Sequence, residues 1–249
     1  MSYIGIIPAR YGSTRFLGKP LIDIAGKSMI QRVYEQAIQS DLSSVHIATD
    51  DHRIYEHVVS FGGKVCMTST SHSSGTERCA EAAHQLLAEQ QLQASDTIIN
   101  IQGDEPFIQP AQINQLIACF SLPSIQIATL AKPIDNSEDI FNPNRPKVVI
   151  NNLGNALYFS RQAIPYQRDV SPTDWHKQHT YYKHIGLYGY RYLTLKALVQ
   201  LAPSILENNE RLEQLRWLAH GYAIQVGISN YDSIGIDVPA DLEKLVNFL

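Results

Sequence analysis

Residues 3–21 read YIGIIPARYGSTRFLGKPL, a short apolar run that ends in a proline and passes into a cationic, glycine-containing loop. The apolar part, Tyr3 to Pro8, predicts a strand buried on both faces, as in a parallel sheet. Further short apolar runs at 45–49, 64–67 and 97–101 are separated by segments with helical spacing. Connections of this length are too long for hairpins and predict right-handed βαβ units. The sequence therefore predicts an α/β fold with a doubly wound, mostly parallel sheet.

The second half of the chain is less regular than the first. No internal repeat or clear domain boundary interrupts it, so we predict a single domain over residues 1–249 with a mixed α+β insertion at about 123–190. The apolar runs predict strands at 125–131, 147–150, 156–160, 183–190 and 223–226, and helices at 192–201, 205–220 and from 239 onward.

Composition and charge argue against several classes of protein. Of the 249 residues, 44% are hydrophobic and 18% are charged, as in a folded globular chain rather than a disordered one. The formal net charge of −4 argues against a basic nucleic-acid-binding surface. Three cysteines without a CxxC pair argue against a disulfide framework or a zinc site. No apolar stretch approaches the roughly 18 residues that span a bilayer. We therefore expect a cytoplasmic protein without nucleic-acid or membrane partners.

The loop from Pro8 to Leu21 carries the chemistry of a phosphate site. It places Arg10, Arg15 and Lys19 after the first strand, together with two hydroxyl side chains and two glycines. Cationic side chains and the backbone amides that glycine frees are the groups that bind polyphosphates. The loop is neither a Walker A motif, because Pro20 follows Lys19, nor a GxGxxG fingerprint. A solvated basic loop is the alternative, but position at a strand's carboxyl end favours the phosphate site.

Two aspartates follow apolar segments in similar contexts. Asp104 lies in QGDEP after the fourth strand, and Asp237 lies in GIDVP before a helix that begins with a proline. Mg²⁺ usually takes one or two protein carboxylates together with phosphate oxygens and waters, so the pair suggests a metal site for phosphoryl chemistry. Capping of a turn or a helix is the alternative for each aspartate.

Residues 72–78 read HSSGTER, between the third strand and its helix. The amino terminus of a helix with hydroxyls and an arginine is suited to binding an anion or reading a base. Helix capping by Ser74 or Thr76 explains part of the motif equally well.

Polar residues of the second half supply further candidates. Glu210 and Gln214 lie four residues apart and are predicted to share one face of the 205–220 helix. A structural role is the alternative for every candidate, and for a lone histidine such as His184 it is the more frequent one. The candidates are Arg161, Arg168, His184, Tyr188, Glu210 and Gln214.

The chain resembles the 3-deoxy-manno-octulosonate (Kdo) cytidylyltransferases, whose motifs occur in the same order over nearly its whole length. IPAR with GKPL also fits other sugar nucleotidyltransferases, whereas NALYFSR, HIGLYGYR and LEQLR are specific to the Kdo branch. The matching segments are IPARYGSTRFLGKPL, ATDD, SGTER, NIQGDEP, NALYFSRQAIPYQRD, HIGLYGYR, LEQLR and GIDVPADLEK.

The resemblance implies a Rossmann-like nucleotide-diphospho-sugar transferase fold and a Mg²⁺-dependent reaction. CMP would pass from CTP to the anomeric hydroxyl of Kdo, giving CMP-Kdo and pyrophosphate for lipopolysaccharide biosynthesis. The resemblance also implies a homodimer formed partly through the middle insertion.

Individual residues acquire roles from the same resemblance. The implied catalytic residues are Arg10, Lys19, Asp104 and Asp237, of which the two aspartates would hold the metal. CTP would be bound by Ala9, Arg10, Ser13, Lys19, Ser74, Arg78, Gln102, Gly103 and Asp104. The sugar would be bound by Arg168, His184, Tyr188, Glu210 and Gln214, with the Arg168 guanidinium suited to pairing with the sugar carboxylate.

The phosphate loop departs from the family pattern at one point. Phe16-Leu17 stands where the family usually has Leu-Pro, so a residue that fixes φ is missing before Gly18. We expect this difference to affect the rigidity of the loop and not its cations.

Two other functions fit part of the sequence. One is a cytidylyltransferase for sialic acid or for an 8-amino form of Kdo. The other is a catalytically silent nucleotide-binding module, which the presence of Arg10, Lys19, Asp104 and Asp237 disfavours.

Overall fold

The computed structural model describes residues 2–12, 16–232, 235–236 and 240–243. The chain forms two compact units. Unit 1 comprises Met1–Asn114, Tyr190–Val199 and Ser233–Leu249, and unit 2 comprises Gln115–Gly189 and Gln200–Asp232. The insertion predicted at about 123–190 lies in unit 2 except for its last residue, but unit 2 begins earlier and also includes 200–232. The single-domain organisation stays a prediction.

The strands are β1 (Tyr3–Ala9), β2 (Asp23–Ile24), β3 (Lys27–Ser28), β4 (Ser44–Thr49), β5 (Val65–Met67), β6 (Thr97–Asn100), β7 (Ile127–Pro133), β8 (Lys147–Ile150), β9 (Ala156–Ser160), β10 (Tyr182–Arg191) and β11 (Gln225–Ile228). The α-helices are α1 (Met29–Ala37), α2 (His52–Ser60), α3 (Gly75–Ala88), α4 (Pro110–Ala118), α5 (Ser137–Phe141), α6 (Trp175–Gln178), α7 (Tyr192–Leu198), α8 (Ile205–Glu210), α9 (Gln214–Ala219) and α10 (Ala240–Glu243).

The sheet of unit 1 is parallel, with the strand order β6-β1-β4-β5. β1 lies inside it, and Ile6 and Ile7 of this strand are fully buried. Burial on both faces is the reason that β1 reads as a continuous apolar run and not as an alternating one. The predicted α/β class with a mostly parallel sheet is confirmed.

The helices of unit 1 begin at side-chain caps. Ser28, Asp51 and Ser74 each accept a hydrogen bond from a backbone amide in the first turn of α1, α2 and α3 respectively. These caps satisfy amides that have no partner inside the helix. Of the two residues that the sequence offered as caps of α3, Ser74 and not Thr76 is the cap. Each cap fixes where the preceding loop must end.

Unit 2 combines parallel and antiparallel pairs. β7 lies between β10 and β11 and runs parallel to β11, whereas β8 pairs antiparallel with both β10 and β9. Of the described strands, β9 pairs along its length with β8, and the amide of its first residue, Ala156, donates to the backbone oxygen of Ile224 just before β11. No helix in the described part of the chain is long and apolar enough to cross a membrane.

The helix predicted at 205–220 is wrong, because the structure breaks it into α8 and α9. Arg211 adopts the left-handed conformation, with φ 53° and ψ 46°, directly after Glu210. Ser204 and Glu207 form a reciprocal capping box at the start of α8, which fixes a short helix of its own. The shared helix face predicted for Glu210 and Gln214 is therefore also wrong. The helix predicted at 192–201 ends earlier, at Leu198.

The left-handed backbone at Arg211 gives a prediction on stability. We expect Arg211→Gly to be more stable than Arg211→Ala by about 1 kcal/mol, because a Cβ is disfavoured in this conformation by about 1–2 kcal/mol. Both variants lose the same guanidinium, so their difference isolates the backbone. Urea unfolding followed by tryptophan fluorescence measures it, since Trp175 and Trp217 both lie in unit 2. An alanine variant as stable as the glycine variant would contradict the prediction.

Candidate active site

The carboxyl ends of β1, β5 and β6 carry loops that meet at one cavity in unit 1. Its volume is about 220 Å³. Of the predicted nucleotide-binding residues, all except Ser13 line this cavity, and Ser13 lies outside the described residues. The lining residues are Pro8, Ala9, Arg10, Lys19, Pro20, His72, Ser73, Ser74, Gly75, Arg78, Gln102, Gly103 and Asp104.

The Lys19 ammonium group forms hydrogen bonds to two other segments at this cavity. Its Nζ lies 2.7 Å from Asp104 Oδ2 and donates to the backbone oxygen of Ile236 over 2.8 Å. The backbone amide of Ile236 in turn donates to the backbone oxygen of Asp104 over 3.0 Å. One lysine therefore joins the first loop, the loop after β6 and the segment before α10. Asp237, predicted as the second metal ligand, lies outside the described residues.

Two glycines allow these loops to approach the end of β1. A Cβ added at Gly103 would lie 2.8 Å from the backbone oxygen of Pro8, closer than real Cβ contacts. A Cβ at Gly75 would lie 3.2 Å from the Pro8 ring. The glycine at 103 is thus required by space, because its neighbour is backbone and cannot rotate away.

Arg78 is held inside unit 1 by protein groups. Its guanidinium pairs with Asp50 Oδ2 at 2.7 Å and donates to Thr68 Oγ1 at 2.5 Å, and the residue is 3% exposed. Asp50 follows β4, so this ion pair connects the ends of two strand–helix units. These contacts fix Arg78 at the wall of the cavity. Its predicted role in reading cytidine stays a prediction.

His72 lines the cavity and was not identified as an individual site residue from the sequence. Its Nε2 contacts Glu81, and its Nδ1 lies 3.9 Å from Glu77 Oε2. Ser73 was missed in the same way; its amide donates to Glu77 Oε2 over 2.7 Å. The signal was present in the HSSGTER segment, because residues just before a helix amino terminus at a strand end face the ligand side of a parallel sheet.

The predicted sugar residues lie in unit 2, and two of them are neighbours. The rings of His184 and Tyr188 are 5.3 Å apart, and Tyr188 packs edge-on against Trp217 with centroids 5.1 Å apart. His184 Nε2 lies 3.1 Å from Thr129 Oγ1. Burial lowers the pKa of His184 to about 3, so the imidazole is neutral near pH 7. Burial, followed by the charge of Glu213, raises the pKa of Tyr188 well above its ordinary value.

Gln214 is buried with one unsatisfied donor. The residue is 4% exposed, and its Nε2 has no hydrogen-bond partner among the described residues. A buried amide without a partner carries a desolvation cost of about 1–3 kcal/mol, which a ligand oxygen would relieve. The unsatisfied donor of Gln214 therefore points to a missing ligand partner in unit 2.

The other two predicted sugar residues have different surroundings. Glu210 accepts from Ser160 Oγ over 2.6 Å and from the Arg161 amide over 2.9 Å, which ties the end of β9 to the end of α8. The Arg168 side chain is 90% exposed, and its described ion pair is with Asp169, with Nε and Oδ2 3.5 Å apart. None of these described contacts of Glu210 and Arg168 is with His184 or Tyr188.

Three comparisons with known proteins give a consistent result. A family model described as cytidylyltransferase matches residues 4–226. A 3-deoxy-manno-octulosonate cytidylyltransferase of Parabacteroides distasonis is 56% identical over 253 residues, covering 100% of this chain and 98% of that protein. One from Bacteroides thetaiotaomicron is 54% identical over 252 residues, with the same coverage. A solved structure of CMP:2-keto-3-deoxy-manno-octonic acid synthetase complexed with CTP matches with a TM-score of 0.90 and 41% identity, covering 100% of this chain and 98% of that one.

A fully buried lysine lies beside the Glu210 contacts. The Nζ of Lys147 donates to the backbone oxygens of Asn142, over 2.9 Å, and Arg161, over 2.7 Å. Burial lowers the pKa of Lys147 to about 8, although the charge of Glu210 opposes the shift. Below pH 8 the lysine is charged in both folded and unfolded chains, and the burial penalty is then fully present.

This lysine predicts a pH dependence of stability. Between pH 8 and about pH 10 the unfolded chain binds more protons at Lys147 than the folded chain, so stability rises with pH. We expect the free energy of unfolding of the wild type, minus that of Lys147→Met, to rise by up to about 2 kcal/mol from pH 7.5 to 9.5. Urea unfolding at both pH values measures it. A difference that is flat or falls with pH would contradict the prediction.

Proposed function

The chain belongs to the family of 3-deoxy-manno-octulosonate cytidylyltransferases, and on that premise we propose that it transfers CMP from CTP to Kdo, giving CMP-Kdo and pyrophosphate. The observation that carries the proposal is the cavity of unit 1, which gathers Arg10, Lys19 and Asp104 at the carboxyl ends of parallel strands. This is the edge at which such sheets bind nucleotides. The product would supply lipopolysaccharide biosynthesis.

The triphosphate is assigned to the two cations and to α3. Arg10 and Lys19 line the cavity from the first loop, and the amino terminus of α3 supplies backbone amides at the same cavity. Both features favour bound anions. The Lys19 ammonium pairs with Asp104 at the cavity wall. A phosphate oxygen bound in the cavity would therefore lie within reach of this ammonium. Ser13, from the same loop, is assigned to the triphosphate by the family resemblance alone.

The residues present fit a magnesium ion, with Asp104 and Asp237 as its ligands. Asp104 lines the cavity, and Ile236, the residue just before Asp237, is hydrogen-bonded to it. One or two carboxylates with phosphate oxygens satisfy Mg²⁺. No group of three or more histidine, cysteine or acidic side chains in the described ranges could hold a metal by itself. When bound, Mg²⁺ would neutralise charge on the phosphates.

The acceptor is assigned to unit 2, where His184, Tyr188 and Gln214 supply neutral polar groups. A neutral imidazole, a protonated phenol and a buried amide with a free donor are suited to the hydroxyl groups of a sugar. Arg168, being exposed, is assigned to the sugar carboxylate, and Glu210 is retained as a sugar contact from the resemblance.

The reaction needs no covalent enzyme intermediate. The anomeric oxygen of Kdo forms a bond to the α-phosphorus of CTP, and the bond from that phosphorus to the pyrophosphate oxygen breaks. The hydroxyl proton leaves to solvent or to a phosphate oxygen. Arg10 and Lys19 orient the phosphates and stabilise the negative charge that pyrophosphate acquires, so positioning and charge carry the catalysis.

A pyrophosphate-release assay tests the function. We expect turnover that requires CTP, Kdo and Mg²⁺ together, with UTP in place of CTP as the control nucleotide. Sialic acid and 8-amino-Kdo, assayed in parallel, decide the acceptor. If either sugar turns over faster than Kdo, that sugar and not Kdo is the preferred acceptor. If CTP binds but no acidic sugar turns over, the chain is a silent nucleotide-binding module instead.

Asp104→Asn tests the metal assignment. The amide keeps the size of the side chain but removes its charge, so we expect kcat to fall by about 100-fold or more and the Mg²⁺ concentration for half-maximal activity to rise. Circular dichroism of the variant controls for folding. A folded variant with unchanged magnesium dependence would remove Asp104 from the metal site.

We assign the dimer contact to the surface of unit 2 around β9. Leu153 and Leu157, just before and within this strand, are 79% and 59% exposed. Two exposed leucines so close in the chain favour contact with a second copy of the chain. Light scattering is expected to give twice 27.9 kDa, and Leu157→Asp to lower it towards the monomer mass. A monomeric wild type would overturn the assignment.

The three free cysteines fit the proposed cytoplasmic location.

A further inference from the structure

The first loop is closed by a contact between the two residues that adjoin its cavity cations. The amide of Gly18 donates to the backbone oxygen of Tyr11 over 3.0 Å. Tyr11 follows Arg10 and Gly18 precedes Lys19, so this bond sets the separation of the two cationic residues. Gly18 is left-handed, with φ 69°, and a Cβ here would lie 3.1 Å from three atoms of the Tyr11 side chain. The tyrosine ring therefore packs directly on the second end of the loop.

A guanidinium from another segment covers the Tyr11 ring. The Cζ of Arg53 lies 3.4 Å from the centroid of that ring, which is the geometry of a cation–π contact. Arg53 lies in the first turn of α2 and does not line the cavity. It reaches the loop only through the tyrosine in the part of the chain that the structure describes.

Asp51 fixes the direction of this guanidinium. Arg53 Nε and Nη2 lie 2.9 and 2.6 Å from the two carboxylate oxygens of Asp51, a bidentate pair. The same carboxylate caps α2 by accepting from the Arg53 amide over 2.9 Å. A bidentate pair on a helix cap leaves the guanidinium little freedom, although it is 59% exposed.

We propose that Arg53 is a positioning residue for CTP: anchored by Asp51, it holds the Tyr11 ring on Gly18 and thereby keeps Arg10 and Lys19 at the spacing that the triphosphate requires. The inference rests on the proposed function. It gives the second aspartate of the ATDD segment a role, since Asp50 holds Arg78 at the cavity wall while Asp51 holds Arg53. The contact of Arg53 with Tyr11 also restrains the first loop, in which the exposed Leu17 stands in place of a proline that would fix φ.

Two other roles for Arg53 make different predictions. If Arg53 bound the triphosphate directly, its loss would weaken CTP binding whatever residue stood at position 11. If the pair with Asp51 served stability alone, its loss would lower the melting temperature and leave CTP affinity unchanged. A positioning role acts through the ring and therefore depends on it.

The test is a double-mutant cycle read by CTP affinity. Isothermal titration of CTP in Mg²⁺ buffer without sugar gives Kd, and the pyrophosphate assay gives KM and kcat. We expect Arg53→Met to raise the Kd and KM for CTP about two- to fivefold, with kcat and the KM for Kdo unchanged. Tyr11→Leu is expected to do the same, and Arg53→Met added to Tyr11→Leu to cause no further loss.

Matched variants separate the ring from the charge. Tyr11→Phe keeps the ring face and is expected to restore the CTP affinity that Tyr11→Leu loses. Lys27→Met removes an exposed cation of unit 1 that pairs with Glu35, away from the cavity, and controls for the loss of one positive charge. Melting temperatures of all variants control for stability.

Each outcome decides the proposal. Equal losses from Arg53→Met in the wild type and in the Tyr11→Leu background, an unchanged CTP Kd in Arg53→Met, or the same loss in Lys27→Met would each overturn it. The wild-type assay stands apart from these results. A wild type that binds CTP but releases no pyrophosphate with Kdo contradicts the proposed function, while the CTP titrations still decide the role of Arg53.

Discussion

The Lys19 ammonium connects the parts of unit 1 that are far apart in sequence. It bonds to the Asp104 carboxylate after β6 and to the Ile236 carbonyl near the end of the chain, while its own loop follows β1. Without a cation here, Asp104 would lack its ion-pair partner at the cavity, and the Ile236 segment would lose one of its two described hydrogen bonds to this site. Three segments therefore share one positive charge at the cavity. The glycine at 103 makes this possible by letting the loop after β6 approach the Pro8 carbonyl.

The sequence was sufficient for the buried strands β1, β4 and β6 and for the edge of the sheet that carries the candidate site, but not for the short pair β2 and β3. β1, β4 and β6 are buried on both faces, so each appears as an apolar run, and polar segments at their carboxyl ends had to be loops. Arg10, Lys19 and Asp104 could be placed at the cavity for this reason alone. The motif resemblance then supplied the acceptor, which composition and spacing could not.

Contacts set by tertiary structure were not predictable in the same way. The apolar spacing of residues 205–220 continues past Arg211, so helical periodicity could not reveal a break that one backbone angle creates. Glu210 was placed on a helix face, whereas its carboxylate binds β9, about 50 residues away in the chain. Arg53 resembled any polar residue on a helix. The positioning role proposed for Arg53 depends on its contact with Tyr11, which lies in the loop after β1, and no local sequence pattern predicts that contact.

The hydroxyl of Thr129 has a consequence for how His184 can act. It lies 3.1 Å from the Ile185 carbonyl oxygen, 2.9 Å from the Leu187 carbonyl oxygen and 3.1 Å from His184 Nε2. Its single proton serves one of these acceptors at a time, so the tautomer of the ring is coupled to the direction of the Thr129 hydroxyl. When a carbonyl oxygen takes the proton, Nε2 carries the ring proton and Nδ1 keeps a lone pair. The imidazole is neutral near pH 7 in either tautomer, and discrimination between acceptor hydroxyls at this ring would rest on the orientation of their O–H bonds and not on charge.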